Sequence, residues 1–453
     1  MTVLARFESI GPKIGGDLSQ SSYATPNMPP VNPHSSLYSR IAWRIMPILF
    51  IGYIIAYLDR VNVGFAKLQM MSELKFSESV YGLGAGIFFL GYFLFEIPSN
   101  VILHIVGARV WICRVLVTWG IVSACTALVR NPWEFYAIRF LLGVAEAGFF
   151  PGMILYLTYW FPSHRRGKMV AVLLAGSAVS GIIGGPISGF ILRSFAGSLH
   201  LAGWQWLFIL EATPAMILGI VLLFCLEDRV ANANWLSPEE KAVIFAEINE
   251  EATAKTHRTI LSVFTSPRVW LMGLIFFGIE MGSYAIGFWQ PTIIRQTGVK
   301  DAFNIGLLTM VPYTFALISM ILFGRHADKT RERRWHVVVP SIVAALGFAL
   351  CTQAGSSTTV AMIGLTMAVV GVVSAIPMFW ALPTSFLGGA AAAVGIAFVN
   401  CTGNLGGFLS PAIIGFLKDY TGTLNSGLFL VSGCMLASAI LIVALVPAKL
   451  VNH

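Results

Sequence analysis

The sequence carries very little charge. Only 11% of its 453 residues are Asp, Glu, Lys or Arg, whereas a typical soluble domain has about 25%. Hydrophobic residues make up 57% of the chain, and the mean hydropathy is +0.78. This composition excludes an ordinary soluble globular protein and predicts an integral membrane protein.

The sequence also lacks the signatures of several enzyme classes. It has no His-Glu-x-x-His zinc motif and no Gly-Lys-Ser/Thr phosphate-binding loop, which argues against an intramembrane zinc enzyme and an ATP-driven pump. Its six cysteines lack metal-type spacing, so we expect inert thiols, no metal site and no cofactor. All eight histidines fall in tails, loops or span ends. Protons crossing the membrane through this chain would therefore have to use carboxyl groups.

Long apolar runs are what the sequence does contain. A membrane-spanning helix needs about 20 apolar residues, and strand signals are weak. We therefore predict an all-α membrane protein with about twelve transmembrane helices. The runs lie near residues 44–66, 80–102, 110–129, 133–160, 168–192, 204–226, 268–292, 303–324, 336–354, 358–384, 388–417 and 423–447.

Polar segments divide these runs into six and six. The longest of them after the N-terminal region contains Ser237, Pro238 and Glu240, which form a helix-start signal with a capping box. No cleaved signal peptide is evident in the polar N-terminal region. We predict a disordered cytoplasmic tail over 1–40, a six-helix half over 41–227, a cytoplasmic linker with an amphipathic helix over 228–263, a second six-helix half over 264–447 and a C-terminal tail over 448–453.

The net charge of +8 could suggest a nucleic-acid partner, but its distribution indicates membrane topology. Most Lys and Arg residues fall in segments that lie inside if the N-terminus is cytoplasmic, which is the positive-inside pattern. Both termini are therefore predicted to be cytoplasmic, and the lipid bilayer, not nucleic acid, is the expected partner. The predicted outer segments hold only Lys67, Lys75, Arg130, Arg193, Arg295, Lys300 and Lys418.

The two halves resemble each other. The segment GIIGGP at 181–186 is matched by GGFLSP at 406–411, and GRHAD at 324–328 is the counterpart of the loop that ends with Gly107-Ala108-Arg109. Six-helix repeats that enclose a midplane substrate site are a transporter architecture.

Ionisable residues lie within the first and fourth apolar runs. Asp59 and Arg60 are adjacent, and Arg139 and Glu146 are two helical turns apart. A charge at membrane depth costs about 2.5–3.5 kcal/mol, so such residues usually mark an ion or substrate path. Because neighbours on a helix point about 100° apart, we expect Arg60 to face a central cavity with Tyr57, and Asp59 to face another helix. Structural ion pairs between helices are the alternative interpretation.

Two carboxyl groups are the leading proton-coupling candidates. Glu146 has only small, apolar neighbours in its span, an environment that penalises its charged form and suits proton exchange. Asp59 is the second. Glu96 and Glu211 fit a structural role better, and Glu280 fits either role.

Four motifs together resemble one transporter family. They are YLDRVN at 57–62, EIPSN at 96–100, RFLLG at 139–143 with EAGFFPG at 146–152, and WQWLFILE at 204–211. They resemble the anion:cation symporters of the major facilitator superfamily, in particular the bacterial tartrate, phthalate and sugar-acid carriers. The similarity runs from about Tyr38 to the C-terminus and departs from the superfamily loop pattern at His104, where Asp is usual.

This resemblance implies proton-driven uptake of a small organic anion by alternating access, in a bacterial inner membrane. It makes Asp59 a proton site and Arg60 a carboxylate contact. We expect a functional monomer that uses the proton gradient. An anion exchanger or a drug exporter of the same superfamily, and a nutrient sensor on the same fold, are the alternatives.

The remaining candidates are polar, aromatic, glycine and proline residues on the predicted cavity faces and at the gates. For substrate binding they are Arg60, Tyr57, Arg139, Tyr92, Tyr284, Gln290, Trp380, Asn400 and Asn404. For gating they are Arg109, Asp328, Arg333, Gly185, Pro186 and Pro411.

Overall fold

The computed structural model describes residues 34–253, 265–386 and 389–448, with the backbone alone at 249–253, 385–386 and 389–393. Outside this description lie residues 1–33 of the predicted N-terminal tail, residues 254–263 of the predicted linker and residues 449–453 of the predicted C-terminal tail. The described chain forms fourteen α-helices and no strand. They are α1 Ser35–Leu74, α2 Glu78–Val106, α3 Ala108–Cys125, α4 Pro132–Glu146, α5 Phe149–Thr158, α6 Ser163–Ser194, α7 Gly203–Cys225, α8 Pro238–Thr253, α9 Pro267–Gln296, α10 Ala302–Thr330, α11 Trp335–Cys351, α12 Thr358–Phe386, α13 Gly389–Thr421 and α14 Asn425–Leu445.

The predicted twelve-span architecture is confirmed. Within the described ranges, ten segments are long and apolar enough to cross a bilayer, with α4 and α5 together counted as one. The 17-residue α11 and the 33-residue α13 complete the set. The amphipathic α8 begins with the expected capping box, because Glu240 N donates to Ser237 Oγ at 3.2 Å and Ser237 N donates to Glu240 Oε2 at 3.0 Å.

The first span begins earlier than the sequence suggested. Residues 35–40, which we assigned to a disordered tail, form the first turns of α1. Tyr38 fixes this end, since its hydroxyl donates to Glu247 at 3.0 Å and its ring packs 6.1 Å from that of Phe161. Tertiary contacts with α8 therefore order a stretch whose composition is polar.

The fourth predicted span, near 133–160, is confirmed as one membrane-crossing segment over Pro132–Thr158, and it consists of the two helices α4 and α5. The break follows Glu146: Ala147 has φ −53° and ψ 131°, and Gly148 is left-handed with φ +83°. A Cβ at Gly148 would lie 2.7 Å from the Cβ of Ser99. Only glycine fits this left-handed position against α2. The break leaves Glu146, a candidate proton site, as the last residue of α4.

Glycine also brings α2 and α4 together. A Cβ at Gly143 would overlap the carbonyl oxygen of Phe88 and would lie 2.9 Å from the amide nitrogen of Tyr92. The backbone of α2 occupies the space that the absent side chain of Gly143 leaves beside Arg139 and Glu146. This close packing places both ionisable residues directly against α2.

The two halves are closed against each other on the outer side. Gly185 of α6 packs on Gly306 of α10, where an added Cβ would lie 2.6 Å from the Gly306 carbonyl oxygen. Gly82 of α2 packs in the same way on the Pro411 carbonyl of α13. The predicted conformational positions Gly185, Pro186 and Pro411 therefore lie in or beside this outer contact.

Polar contacts reinforce the outer closure. Asp419 of α13 caps the start of α2, where it accepts from Ser79 N at 2.7 Å. Glu78 pairs with Lys67 at 2.6 Å within the first half and also with Lys418 of the second half. Opening the outer side must break the cap and the second of these pairs.

We predict that Gly185→Val prevents full outer closure, because overpacking of this kind costs about 1–3 kcal/mol. Gln290 lies within the closed contact, so a cysteine introduced there by Gln290→Cys in a cysteine-free background reports its opening. This cysteine should react about tenfold faster with a membrane-impermeant maleimide when Gly185→Val is added. Gly433→Val is the matched control, since a Cβ there meets nothing within 4 Å. Equal labelling rates in the two valine variants would contradict this interpretation of the glycine contact.

Candidate functional site

Arg60 lies where the two halves meet. Its guanidinium forms an ion pair with Glu146 of α4 and donates to the Tyr284 hydroxyl of α9 at 3.4 Å. The guanidinium carbon lies 5.3 Å from the ring centroids of both Phe88 and Tyr92. Arg60 thus connects the predicted proton site in the first half to a hydroxyl in the second half.

The ion pair leaves part of Arg60 unused. Its Nε is buried and has no hydrogen-bond partner among the described residues. The Arg60 side chain is 17% exposed, whereas that of Glu146 is 1% exposed. Glu146 is therefore sealed behind Arg60, and Arg60 is the member of the pair that a ligand could reach.

A cavity of about 120 Å³ lies between the halves next to this pair. Tyr284, whose hydroxyl accepts a hydrogen bond from Arg60, is one of the residues that line this cavity. Of the predicted substrate-binding residues, Tyr57, Tyr284, Trp380 and Asn400 line it. The wall also includes groups that we did not assign to the substrate, among them Tyr53, Phe150, Phe276, Glu280 and Ser283.

The two candidate asparagines of α13 contact a carboxyl group. Asn400 Nδ2 donates to Glu96 Oε1 at 3.2 Å, and Asn404 Nδ2 donates to Glu96 Oε2 at 3.3 Å. We favoured a structural role for Glu96 and named both asparagines as substrate-binding candidates. The structure joins these three residues in one polar contact between α2 and α13, beside the cavity.

Arg139 lies inside the first half and does not line the cavity. It is fully buried, and its Nε donates to the Gly84 carbonyl at a long 3.4 Å. Arg139 interacts electrostatically with the carboxyl groups of Asp59 and Glu146 and with the guanidinium of Arg60. It is therefore a buried cation that acts on both candidate proton sites, and in this conformation it is not open to a ligand.

Asp59 points away from Arg60 and toward α3, as the helical geometry predicted. Trp119 Nε1 donates to its Oδ2 at 2.6 Å, the Ser123 hydroxyl donates to its Oδ1, and Asn62 Nδ2 donates to the same oxygen at 3.2 Å. The carboxyl is 1% exposed. Sequence reasoning missed Trp119 and Ser123, because such residues are ordinary in a membrane span and no charge marks them.

Two further candidates lie apart from the cavity lining. Tyr92 is buried under the Arg60 guanidinium. Gln290 lines a second cavity of about 20 Å³ between the halves on the outer side, and its Nε2 donates to the Thr309 carbonyl at 3.4 Å. Neither side chain lines the cavity of about 120 Å³ between the halves.

The predicted inner gate residues lie at helix ends. The backbone nitrogen of Arg109 donates to Asp228 Oδ1 at 2.8 Å, so Asp228, which we did not identify, caps α3. At the atypical position, His104 Nδ1 lies 3.0 Å from the Tyr159 hydroxyl and so links α2 to the end of α5. Asp328 is exposed near the end of α10, and Arg333 lies in the turn that follows it.

No group of three or more His, Cys, Asp and Glu side chains within 34–253, 265–386 and 389–448 is arranged to hold a metal ion.

Comparison with known sequences identifies the family. A profile described as the Major Facilitator Superfamily matches residues 49–411. The chain is 49% identical over 408 residues to a putative tartrate transporter of Agrobacterium vitis, covering 90% of this chain and 94% of that one. It is 46% identical over 420 residues to the putative metabolite transport protein NicT of Pseudomonas putida, covering 92% and 96%. A quinolone resistance transporter of Acinetobacter baumannii is 39% identical, covering 88% and 93%.

Comparison with solved structures supports the same fold. The inward-open xylose transporter XylE from E. coli aligns with a TM-score of 0.74 at 15% identity, covering 89% of this chain and 96% of that one. A D-xylose-proton symporter structure aligns with a TM-score of 0.72 at 17% identity, covering 90% and 98%. The chain belongs to the major facilitator superfamily and is a multi-pass transporter of the bacterial inner membrane, with tartrate transporters among its similar relatives.

Proposed function

We propose that this protein takes up a small organic anion together with protons, by alternating access. The substrate class that we favour is a hydroxy-dicarboxylate such as tartrate or a sugar acid. The observation that carries the proposal is the Arg60–Glu146 ion pair beside a cavity between the two halves.

The cavity chemistry supports an anionic, hydroxylated substrate. Arg60 offers a planar fork that can bind a carboxylate through two parallel hydrogen bonds. In the neighbouring cavity, Tyr57, Tyr284 and Ser283 present hydroxyl groups and Asn400 presents an amide, which suit the hydroxyls of a tartrate-like or sugar-acid molecule. Two Agrobacterium vitis relatives at 48–49% identity are described as putative tartrate transporters.

Proton coupling follows from competition for one guanidinium. Ionised Glu146 occupies Arg60, so an incoming carboxylate has to displace it. Displacing a charged Glu146 would leave a buried carboxylate unpaired, which costs several kcal/mol. A proton on Glu146 removes that cost, so anion binding and protonation favour each other.

Asp59 and Arg139 extend the coupling away from the cavity. Arg139 interacts electrostatically with both Asp59 and Glu146. Protonation of one carboxyl therefore frees Arg139 to interact more strongly with the other. In this scheme Arg139 balances charge between two proton sites, and a direct substrate contact is left to Arg60.

A drug exporter is the second candidate, favoured by the relative described as a quinolone resistance transporter. Aromatic rings such as Tyr53, Phe276 and Trp380 line part of the cavity and would suit a flat apolar compound. A buried arginine whose Nε remains unpartnered favours the anion instead.

We predict that Glu146→Gln abolishes uphill accumulation. The amide cannot ionise, so it imitates the protonated state and leaves Arg60 open to the anion at every pH. In proteoliposomes with an acidic outer solution, labelled tartrate should equilibrate without accumulating, while exchange with tartrate preloaded inside should continue.

Glu239→Gln is the matched control, because Glu239 is exposed at the start of α8. It should accumulate tartrate as the unmodified protein does. Accumulation against the gradient by Glu146→Gln would rule out Glu146 as the coupling site.

We further predict that Arg60→Lys weakens tartrate binding about 10- to 100-fold, equivalent to about 1.4–2.8 kcal/mol. Lysine keeps the charge but loses the bidentate fork. Affinity can be measured from the thermal stabilisation of the purified protein across a tartrate titration. Arg114→Lys is the control, since that guanidinium stacks 3.8 Å from the Trp111 ring near the inner end of α3. An unchanged affinity in Arg60→Lys would argue against Arg60 as the carboxylate ligand.

A further inference from the structure

Glu211 of α7 is a buried carboxyl group that the coupling scheme above does not use. It is 7% exposed. The Ser188 hydroxyl of α6 donates to its Oε1 at 2.6 Å, and Asn62 and Asp59 of α1 are neighbouring groups that act on its charge. It lies eight residues from the outer end of the 23-residue α7, in the outer half of that helix.

Asn62 connects Glu211 to Asp59. Its amide nitrogen donates to Asp59 Oδ1 at 3.2 Å, so one side chain lies between two carboxyl groups. Ser188 of α6, which donates to Glu211, is neutral, and so are Trp119 and Ser123 of α3, which donate to Asp59. Arg139 interacts with Asp59 and is not among the partners of Glu211. Asp59 is therefore the charge that Glu211 faces, and it has the same sign.

Two oxygen atoms in this network lack a donor. Glu211 Oε2 and Asn62 Oδ1 are both buried and have no hydrogen-bond partner among the described residues. A buried acceptor without a donor costs about 1–3 kcal/mol, and more when it is charged. A proton on the Glu211 carboxyl group removes its negative charge, which lowers the cost of the unpartnered Oε2 and removes the repulsion between the two carboxylates. The geometry therefore favours a neutral carboxylic acid at Glu211.

Ser188 gives this carboxyl a route to the outer solution. It lines the small cavity between the halves, whose volume of about 20 Å³ is enough for one water molecule. Gly185 and Thr309 line the same cavity and belong to the outer closure. When the outer ends separate, this cavity opens outward, and Ser188 becomes the polar group between water and Glu211.

We propose that Glu211 is a third proton-binding site, loaded from the outer solution through Ser188 and coupled electrostatically to Asp59 across Asn62. In the loading step the Ser188 hydroxyl passes its proton to Glu211 Oε1, and a hydronium ion replaces that proton on Ser188 and becomes water. One positive charge enters the first half, and the carboxylate becomes a neutral acid. The link to transport rests on the proposed function, whereas the protonation of Glu211 does not.

The protonation is tested first, without any substrate. Infrared difference spectra of the purified protein in nanodiscs, recorded between acidic and alkaline pH, report the C=O stretch of protonated carboxyl groups. Glu211→Gln should lose one such band, and Glu211→Asp should retain a band at a shifted frequency. Glu239→Gln, at an exposed position, serves as the control. If Glu211→Gln and Glu211→Asp both leave every carboxylic-acid band unchanged, Glu211 does not bind a proton and the proposal is overturned.

The role in transport is tested by varying the outer pH alone. In proteoliposomes, the outer pH of half-maximal tartrate uptake should move to more acidic values by about one unit in Glu211→Gln, because Asp59 loses a negative neighbour. Ser188→Ala should slow uptake several-fold at each outer pH. Ser180→Ala is the matched control, since Ser180 lines the same small cavity but donates to the Gly176 carbonyl at 2.7 Å.

The proposed route would be overturned if Glu211→Gln and Ser188→Ala gave the same outer-pH profile and the same tartrate uptake rates as Ser180→Ala. A wild-type protein that moves no tartrate would instead refute the proposed function. In that case the infrared result still decides whether Glu211 binds a proton.

Discussion

The proposed mechanism depends on one constraint: inside the membrane, a single guanidinium can pair either with an internal carboxylate or with an incoming one. Arg60 pairs with Glu146 behind it and reaches the Tyr284 hydroxyl in front of it. Each charge placed at this depth costs about 2.5–3.5 kcal/mol unless it is compensated. In the mechanism that we propose, the protein has two stable states, one with Glu146 ionised and paired and one with Glu146 protonated and Arg60 bound to an anion. Proton and anion are then linked, because the intermediate states leave a buried charge unpaired.

The surrounding fold keeps those two states distinct. Gly143 lets α2 press against α4, and the break at Gly148 ends the helix just after Glu146. Broken helices occur at substrate sites of transporters, where irregular backbone is sheltered by protein. The glycine contacts between the halves, such as Gly185 with Gly306, let the helix backbones approach each other closely on the outer side. Contacts of this kind can separate and re-form with little repacking of side chains, which suits a transporter that rocks between two faces.

Much of this could be read from the sequence because membrane spans obey strong rules. Hydropathy and the positive-inside pattern predicted twelve spans, and helical geometry predicted that Asp59 and Arg60 would face different neighbours. The break at Gly148 was missed because a glycine in a span usually continues the helix, and only its contact with Ser99 imposes the left-handed turn. The pairing of Glu96 with Asn400 joins residues far apart in the chain, which no local pattern encodes. The burial of Arg139 likewise depends on how closely α2 approaches.

The measurement that tests the central link most directly is the number of protons taken up when tartrate binds. Isothermal titration calorimetry of the purified protein near neutral pH, repeated in buffers with different ionisation enthalpies, gives this number without any flux assay. If one guanidinium is shared between Glu146 and the anion, at least one proton should enter for each tartrate bound. Tartrate binding with no proton uptake would mean that Arg60 accepts the anion while Glu146 stays ionised, and it would contradict this account.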